Sequence, residues 1–300
     1  MKISIIGLNA CGKTSIYLTT LGGMAPNEVK DLDSTVLYEV WNHYYLGLQI
    51  SLWDFGGQEK YRSSCLETPK LLVNSTILIC VLDLHCPQDF NKARSYFEDV
   101  YFSIKQNGGD PRLYIFYHKY DTKDYPKKQL EKNLALAKAL FNSSVLKPKS
   151  YLTSIYRQEE LNEILRQILI ADFKQLKKNF EQVRKRLLNL PSDIIICDMN
   201  GNVITHNIKW FTTGMQLEED LRDYVFGCNM LSHYFFSTKS TSFSAKSHEK
   251  KLDLYVLNHV LTVLIITYED TPVDPSEGIK DLLKEVQIFA DVIPLLVAQT

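Results

Sequence analysis

The sequence contains no closely spaced cysteine pair and no long uninterrupted apolar segment. Its six cysteines are scattered, with no C-x-x-C pair and no zinc-site spacing, so neither a zinc site nor a disulfide framework is predicted. The longest apolar stretches, Thr76–Leu84 and Leu252–Tyr268, are too short or too interrupted to span a bilayer. Position 2 is Lys rather than the Gly of a myristoylation motif, and Val297–Thr300 is not a prenylation box. We therefore expect a cytoplasmic protein with no direct membrane anchor, which a partner would recruit if it acts at a membrane.

The sequence also lacks an excess of charge of either sign. It has 34 Lys and Arg residues against 35 Asp and Glu residues, for a formal net charge of −1 at pH 7. This balance provides no general attraction to nucleic acid, so no nucleic-acid partner is predicted. The 300 residues, of which 45% are hydrophobic and 23% charged, suit two globular domains of ordinary size.

Short apolar runs alternate with helical patterns over residues 1–156. This βα order predicts an α/β domain with a mainly parallel six-stranded sheet and helices on both faces. Val36–Tyr44, connected to the next strand through Gly47, is predicted to form an antiparallel hairpin. The other predicted strands are Ile3–Ile6, Ile50–Trp53, Ile77–Leu82, Leu113–Tyr117 and Ser150–Thr153.

A different pattern follows in the C-terminal part of the chain. Apolar residues at helical spacing predict one long helix, about 158–189, that joins a first domain (1–172) to a second (173–300). The order of elements after Pro191 predicts that the second domain is smaller and α+β, with an antiparallel sheet. Its predicted elements are a hairpin with its turn at Asn200-Gly201, a helix near Gln216–Asn229, strands near Ser232–Ser237, Lys251–Leu257 and Val260–Tyr268, and a last helix, Ser276–Val297.

A glycine-rich segment after the first strand, Gly7–Thr14, matches the P-loop pattern G-x-x-x-x-G-K-[ST]. Its glycines let backbone N–H groups surround a phosphate, and the following helix N-terminus adds positive potential. Lys13 is placed to reach the β- and γ-phosphates, which makes it a candidate catalytic residue, and the Thr14 hydroxyl is placed to bind Mg²⁺. The nucleotide-binding residues predicted here are Asn9, Ala10, Cys11, Gly12, Lys13, Thr14 and Ser15.

A second motif, D-x-x-G followed by Gln, ends the strand predicted at Ile50–Trp53. We expect Asp54 to hold Mg²⁺ through a water and the Gly57 N–H to meet the γ-phosphate, so that loss of this phosphate releases the loop. Gln58 stands where a hydrolytic GTPase needs a residue that orients the attacking water, and it is the second candidate catalytic residue. Thr35, before the strand at Val36, is predicted to complete the Mg²⁺ shell; Ser34 is the alternative.

Two further segments suggest how a purine base is chosen. Asp121, in His118-Lys119-Tyr120-Asp121 after the fifth strand, can accept two hydrogen bonds from guanine, which adenine cannot supply. The aliphatic part of Lys119 is expected to cover the face of the base. Ser154 and Ile155, at the end of the sixth strand, are expected to offer a backbone N–H to guanine O6. These residues and His118 complete the predicted nucleotide-binding set.

Together these motifs resemble those of the Ras superfamily of small GTPases, and in particular its Rag/Gtr branch. The features shared with that branch are His rather than Asn at position 118, the string Trp53-Asp54-x-Gly56-Gly57-Gln58, and a long helix after Thr153-Ser154-Ile155. The resemblance implies a P-loop GTPase domain that binds GTP, GDP and Mg²⁺ and acts as a molecular switch in signalling.

The element order over about 175–297 resembles the roadblock-type domain of the Rag family, although a longin- or profilin-like domain stays an alternative. The resemblance implies that this domain dimerises, with a second Rag-like subunit or with itself. It further implies that the pair binds roadblock-type scaffold proteins, and that the nucleotide state decides which partner is held.

Hydrolysis is expected to be slow without an activator, on the order of 10⁻⁴ to 10⁻² per second. The motifs hold no arginine except Arg62, for which we expect a structural role, and Asn9 replaces a Gly at which Ras proteins admit an arginine finger. One alternative is a non-hydrolysing GTP-binding scaffold subunit, which Gln58 argues against. A P-loop kinase or ATPase is a further alternative, which Asp121 disfavours.

Overall fold

A computed structural model describes residues 1–29, 32–122, 125–208, 219–234, 240–246, 250–269 and 276–297. The chain forms two compact units. The first comprises residues 1–20, 24–43 and 49–161, and the second comprises residues 21–23, 44–48 and 162–300. Among the described residues, no helix is both long enough and apolar enough to cross a membrane.

The sheet of the first unit has six strands in the order β2-β3-β1-β4-β5-β6. The pairs β1–β3, β1–β4, β4–β5 and β5–β6 are parallel, whereas β2 and β3 form a hairpin through the two-residue turn Leu46-Gly47. This architecture confirms the predicted α/β fold. The strands are β1 (Lys2–Gly7), β2 (Tyr38–Tyr45), β3 (Leu48–Phe55), β4 (Ile77–Asp83), β5 (Arg112–His118) and β6 (Lys149–Leu152).

Helices cover this sheet and bury its central strands. The first six residues of β4 are all buried and mostly apolar, as expected for a parallel strand covered on both faces. Phe97 and Phe141, from two of the helices, pack with Ile115 of β5 in the core. The helices from this part of the chain are α1 (Lys13–Thr20), α2 (Glu59–Glu67), α3 (Lys70–Val73), α4 (Phe90–Gln106), α5 (Lys127–Asn142) and α6 (Gln158–Leu169).

The parallel arrangement brings the carboxyl ends of several strands to one edge of the sheet. Gly7, Asp83 and His118 end β1, β4 and β5. Asp83 is paired with His118, and Gly7 is paired with Val81, two residues before Asp83. The loops that leave these strands therefore meet at the same edge, which is where open α/β sheets bind ligands.

The prediction of one long helix over 158–189 is wrong, because the structure has two helices there. The first, α6, ends at Leu169, and α7 (Lys174–Leu187) begins after a turn in which Phe173 N–H donates to the Ile170 carbonyl. Arg184 lies 3.0 Å from Glu163 although twenty-one positions separate them, a span of about 30 Å in a straight helix. The chain therefore folds back, and apolar periodicity alone cannot reveal such a reversal.

The second unit contains a five-stranded antiparallel sheet in the order β8-β7-β11-β10-β9. The predicted turn at Asn200-Gly201 joins its first two strands, and Gly201 has a φ of 79°. This confirms the predicted antiparallel α+β architecture. The elements are β7 (Asp193–Asp198), β8 (Val203–His206), α8 (Glu219–Tyr234), β9 (Ser240–Lys246), β10 (Lys250–Leu257), β11 (Leu261–Tyr268) and α9 (Ser276–Val297).

The strand predicted near Ser232–Ser237 is misplaced. Ser232 to Tyr234 continue α8, and the strand of this region, β9, begins at Ser240. The rest of the predicted strand, residues 235–237, lies outside the described residues. The aromatic residues near this helix end favour a strand by propensity, and packing of α8 on the sheet overrides that preference.

Candidate functional site

The predicted P-loop connects β1 to α1 through backbone conformations that only some residues adopt easily. Ala10 and Gly12 have φ values of 56° and 92°. A Cβ at Gly12 would lie 2.7 Å from His118 Cδ2, so no larger residue fits there without a shift. The Ile16 N–H donates to the Gly12 carbonyl at 2.9 Å, which starts α1 directly behind the loop. The helix N-terminus therefore opens onto the loop, as phosphate binding requires.

Lys13 is buried against this loop. Its Nζ donates to the Leu8 carbonyl at 3.0 Å and lies 3.4 Å from the Gly7 carbonyl. The same residue begins α1, so the ammonium and the helix N-terminus place positive charge at one point. Behind Lys13, the Ser15 hydroxyl donates to the Val29 carbonyl at 3.3 Å, which ties α1 to the segment before Thr35.

Thr14, Thr35 and Asp54 converge at one point. The Asp54 Oδ2 accepts hydrogen bonds from the Thr14 hydroxyl at 2.5 Å and the Thr35 hydroxyl at 3.1 Å, and the two hydroxyl oxygens are 3.1 Å apart. The rival Ser34 instead donates to the Asn9 Oδ1 at 3.4 Å. The structure thus brings together the three predicted Mg²⁺ ligands from α1, the segment before β2, and β3.

The burial and hydrogen bonding of the Asp54 carboxyl are suited to a cation bound beside it. Asp54 is fully buried, and Oδ1 has no hydrogen-bond partner among the described residues. Burial raises the pKa of this carboxyl, although Lys13 and the two threonine hydroxyls oppose the rise. A buried carboxylate with an unpaired oxygen is costly unless a positive charge compensates it. A carboxylate and two hydroxyls are hard oxygen ligands that suit Mg²⁺ together with phosphate oxygens and water. The described residues contain no group of three or more His, Cys, Asp or Glu side chains that could hold another metal.

The main cavity of the site is lined by the P-loop, Thr35 and Asp121. Gln58 does not line it but lines a neighbouring cavity. It precedes α2 in an extended conformation, and its carbonyl accepts from the N–H groups of Tyr61 and Arg62 at 3.0 Å. The cavity beside it, about 300 Å³, shares Asn9 and Gly57 with the main cavity. A water next to Gln58 would therefore approach from the Asn9–Gly57 side of the nucleotide site. Arg62 is buried with its guanidinium 5.4 Å from the centre of the Tyr96 ring.

The opposite end of the main cavity is built from the loops after β5 and β6. The Ser154 hydroxyl donates to Asp121 Oδ2 at 2.7 Å and accepts from the Tyr156 N–H at 3.1 Å, which orients the carboxylate. The Lys119 Nζ donates to the Ala10 carbonyl at 2.8 Å and to Asp83 at 2.6 Å. Lys119 therefore connects the predicted base-binding loop to the P-loop, and its φ of 59° turns the chain at this point.

The main cavity has a volume of about 360 Å³, and most of the predicted nucleotide-binding residues line it. Ser154 and Asp54 do not line the cavity themselves. Ser154 donates to Asp121, and Asp54 accepts from Thr14 and Thr35, and these three partners do line it. Several residues that line this cavity, or that contact a residue lining it, were not predicted from the sequence because they belong to no motif. They are Val29, Leu32, Asp33, Asp83, His85 and Tyr156. Asp83 had a usable signal, since it is an acidic residue that ends a buried apolar strand.

The comparisons with known proteins agree with this site. Residues 2–199 match the family described as the Gtr1/RagA G protein conserved region. Among curated proteins, the Ras-related GTP-binding protein A of Dictyostelium discoideum is 28% identical over 195 residues, which are 61% of this chain and 62% of that protein. The GTP-binding protein gtr1 of Schizosaccharomyces pombe is 25% identical over 123 residues, 40% of each chain. The chain thus spans less than two thirds of the length of these relatives.

Two solved structures align with part of the chain. The Arl6 BBS3 small GTPase from Trypanosoma brucei aligns with 54% of this chain and 91% of its own, at 19% identity and a TM-score of 0.40. A chain of the mammalian SRP receptor aligns with 55% of this chain and 98% of its own, at 18% identity and a TM-score of 0.41. The family match over residues 2–199 covers most of the chain and every residue of the candidate site, so this chain belongs to the Gtr1/RagA family of G proteins.

Proposed function

We propose that this chain is a Mg²⁺-dependent, GTP-binding and GTP-hydrolysing molecular switch of the Rag type. The observation that carries the proposal is the convergence of Thr14, Thr35 and Asp54 at one end of a cavity whose other end holds Asp121. A guanine-nucleotide site needs one part that binds the triphosphate and a carboxylate that hydrogen-bonds to the base. The family match over the same residues supports the proposal.

At the phosphate end, Thr14, Thr35 and Asp54 would hold Mg²⁺, which neutralises phosphate charge when bound. Lys13 and the backbone N–H groups of the P-loop bind the β- and γ-phosphates. Thr35 lies just before β2, and Gly57 lies just after β3. Because these two residues flank the same hairpin, contact with the γ-phosphate orders both segments and its loss releases both, which is how the nucleotide state would be read.

At the base end, Asp121 accepts hydrogen bonds from the N1–H and N2–H groups of guanine. Adenine offers no such donor pair, and a buried polar site left unpaired discriminates strongly against it. The Ser154 hydroxyl holds Asp121 in the orientation that this recognition requires. Lys119, fixed by Asp83 and the Ala10 carbonyl, would cover one face of the base with its aliphatic part.

Hydrolysis would use Gln58 to orient a water in the cavity beside Asn9 and Gly57. Arg62 also lines this cavity, but it is buried with its guanidinium 5.4 Å from the centre of the Tyr96 ring, which suits a structural role. We therefore propose slow turnover that an activator accelerates by supplying positive charge. Gln58→Leu should lower single-turnover hydrolysis while leaving GTP affinity nearly unchanged; equal hydrolysis in the variant would favour a scaffold that binds GTP without using Gln58.

Nucleotide competition tests the central assignment. Purified full-length chain, with Mg²⁺, is titrated with fluorescent GDP and challenged with GTP, ATP and XTP. GTP should compete at least 1,000-fold better than ATP, on the order seen for sites built around buried polar pairs. Asp121→Asn should shift preference toward XTP, because the amide can donate to the xanthine carbonyl. Equal competition by ATP and GTP contradicts the proposal.

The second unit would pair the chain with a second Rag-like subunit. Phe226 and Met230, one turn apart on α8, are exposed, and so is Phe243 of β9. Among the described residues, β9 pairs only with β10 and so leaves one edge of the sheet unpaired. An unpaired strand beside exposed apolar side chains suits edge-to-edge pairing with a like domain. The roadblock-type identity of this unit is part of the same proposal.

Light scattering tests this pairing on the full-length chain, alone and co-expressed with a second Gtr1/RagA-family chain. At least one sample should have the mass of a dimer. Phe226→Asp with Met230→Asp should return it to a monomer, whereas Glu219→Lys, at the start of the same helix, should leave the dimer intact. A strictly monomeric chain in both samples contradicts the proposal.

A further inference from the structure

The first unit has a groove at the edge of its sheet opposite to the candidate nucleotide site. Strand β1 runs from Lys2, which lines this groove, to Gly7, at the P-loop. The groove has a volume of about 460 Å³, within the usual range for ligand sites of about 300–1,000 Å³. It shares no lining residue with the main cavity, so the function proposed above does not account for it.

One wall of the groove is the outer face of β3 together with the start of β1. Along β3, buried residues alternate with exposed or half-buried ones, so Gln49, Ser51 and Trp53 share the outer face. Lys2 is paired with Ser51 in the parallel ladder, which places its side chain beside this face. The short helix α3 and the residue after it supply the rest of the wall.

The Lys2 ammonium is held in a fixed position in the groove. Its Nζ donates to the Leu71 carbonyl and lies 3.6 Å from the centre of the Trp53 ring. Tyr38 stacks on the same indole, with ring centres 5.0 Å apart, which fixes the ring in turn. Burial lowers the pKa of Lys2, although the nearby Cys65 opposes the shift. A partly desolvated ammonium whose partners are a carbonyl and a ring is stabilised by an added anion.

The lining of the groove is positively charged. Lys70, at the start of α3, is exposed and lines it together with Lys2. Of the described residues that line the groove, none is acidic. Two ammonium groups without a carboxylate attract a negatively charged ligand. Gln49 and Asn74, both exposed, add amide groups that can hydrogen-bond to a peptide backbone.

The groove combines its lysines with apolar and amide side chains. A phosphate group or a membrane surface needs only cations and N–H donors, whereas an acidic peptide presents carboxylates, apolar side chains and backbone groups together. Trp53 and Leu71, both half-buried, offer the apolar contact. We propose that this groove binds a short acidic segment of a partner protein, with carboxylates at the two lysines and an apolar side chain beside Trp53 and Leu71.

Fluorescence anisotropy of a labelled peptide tests the proposal on the full-length chain. The probe is a short peptide of alternating Glu and Leu, and the matched peptide has Gln in place of Glu. The acidic peptide should bind about tenfold more tightly than its neutral match, and added salt should weaken its binding. Equal binding of the two peptides overturns the proposal.

Substitution of the lysines locates the binding site. Lys2→Gln should weaken binding of the acidic peptide about tenfold, because it removes a partly desolvated charged donor. Lys70→Gln should weaken it about threefold, as for an exposed ion pair. Lys138→Gln is the matched control, since it removes an exposed lysine of α5 outside the groove and should change nothing. Undiminished binding in both groove variants overturns the proposal, and if Lys2→Gln does not fold, Lys70→Gln decides.

The indole N–H signals in a ¹⁵N spectrum show where the peptide lies. The Trp53 signal is identified by its loss in Trp53→Phe. The acidic peptide should shift this signal and leave unchanged that of Trp41, which stacks on Tyr17. A peptide that binds without shifting the Trp53 signal occupies another surface, which overturns the proposal.

Other anions are tested with the same variants. Inorganic phosphate and vesicles containing phosphatidylserine should bind no more weakly to Lys70→Gln than to wild type. If either binds with a dependence on Lys70 while the acidic peptide does not bind, the groove recognises a different anion and the peptide assignment is overturned. These measurements do not require nucleotide binding, so they stay decisive if the proposed GTPase function fails.

Discussion

Two buried aspartates, one in each unit, differ in how fully their carboxylate oxygens are hydrogen-bonded. In the second unit, Asp198 accepts from the N–H groups of Asn200 and Asn202 at 2.9 and 3.0 Å, from Asn202 Nδ2 at 2.8 Å, and from the Leu46 N–H at 3.1 Å. In the first unit, Asp54 accepts from two threonine hydroxyls at Oδ2, while Oδ1 has no partner among the described residues.

This difference separates a structural carboxylate from a functional one. Burial raises the pKa of both groups, that of Asp198 to about 6. The donors around Asp198 belong to its own hairpin turn and to Leu46 of the same unit, so its interactions are complete within the fold. Under the proposed function, a bound cation would complete the interactions of Asp54. A buried acid therefore indicates a binding site only when its oxygens are left partly unpaired.

The largest expected effect is the loss of stability on removing Asp198. Asp198→Ala should lower the free energy of unfolding of the second unit by about 4 kcal/mol, because it leaves several buried N–H groups without acceptors. Urea unfolding of the full chain measures this. Asp193→Ala, on the same strand, removes an exposed hydrogen bond from Tyr268 and should cost less than about 1 kcal/mol. Equal losses of unfolding free energy in the two variants would contradict the structural role assigned to Asp198.

The pH dependence of unfolding should follow from the raised pKa of Asp198. The folded state binds a proton at Asp198 below about pH 6, and the unfolded chain binds it only below the ordinary aspartate pKa of 3.8. The stabilising contribution is therefore complete below about pH 4 and is lost as the pH rises to 6, a change of about 3 kcal/mol. We expect a shallower pH dependence in Asp198→Asn over this window. Parallel curves for the two proteins would contradict the assignment.

Asp54→Asn should affect ligand binding instead of stability. Without the charge, Mg²⁺ is held weakly, and Mg²⁺–GTP affinity should fall about 100-fold, or about 2.7 kcal/mol. The metal-free variant should be at least as stable as wild type, because a buried unpaired charge has been removed. Titration of fluorescent GTP with and without a chelator measures the first effect. Undiminished, chelator-sensitive binding in the variant would show that Asp54 does not hold the metal.

The smallest expected effect distinguishes two neighbouring hydroxyls. Thr35→Ala removes a hydroxyl that contacts both Thr14 and Asp54, and Mg²⁺–GTP affinity should fall about tenfold, with GDP affinity nearly unchanged. Ser34→Ala is the matched control and should change neither, because its hydroxyl contacts Asn9. A larger loss of Mg²⁺–GTP affinity in Ser34→Ala than in Thr35→Ala would assign the metal-binding role to Ser34 instead of Thr35.

Local sequence signals were sufficient wherever motif spacing and strand order coincide. The P-loop between β1 and α1, Asp54 near the end of β3, and Asp121 after β5 could all be placed in advance, because parallel strands bring their carboxyl ends to one edge. Tyr156 could not be placed, since it belongs to no recognisable motif. The break between α6 and α7 was also hidden, because the apolar spacing continues through it.

The sequence by itself determined the phosphate loop, the candidate metal ligands and the alternation of strands and helices, since each depends on neighbours along the chain. Only the tertiary structure decided that Thr35 rather than Ser34 contacts Asp54, that Lys119 is held by Asp83, and that His118 is hydrogen-bonded to Thr153. Hydrogen bonding depends on distance and on competing partners. Those are properties of residues brought together from distant parts of the chain.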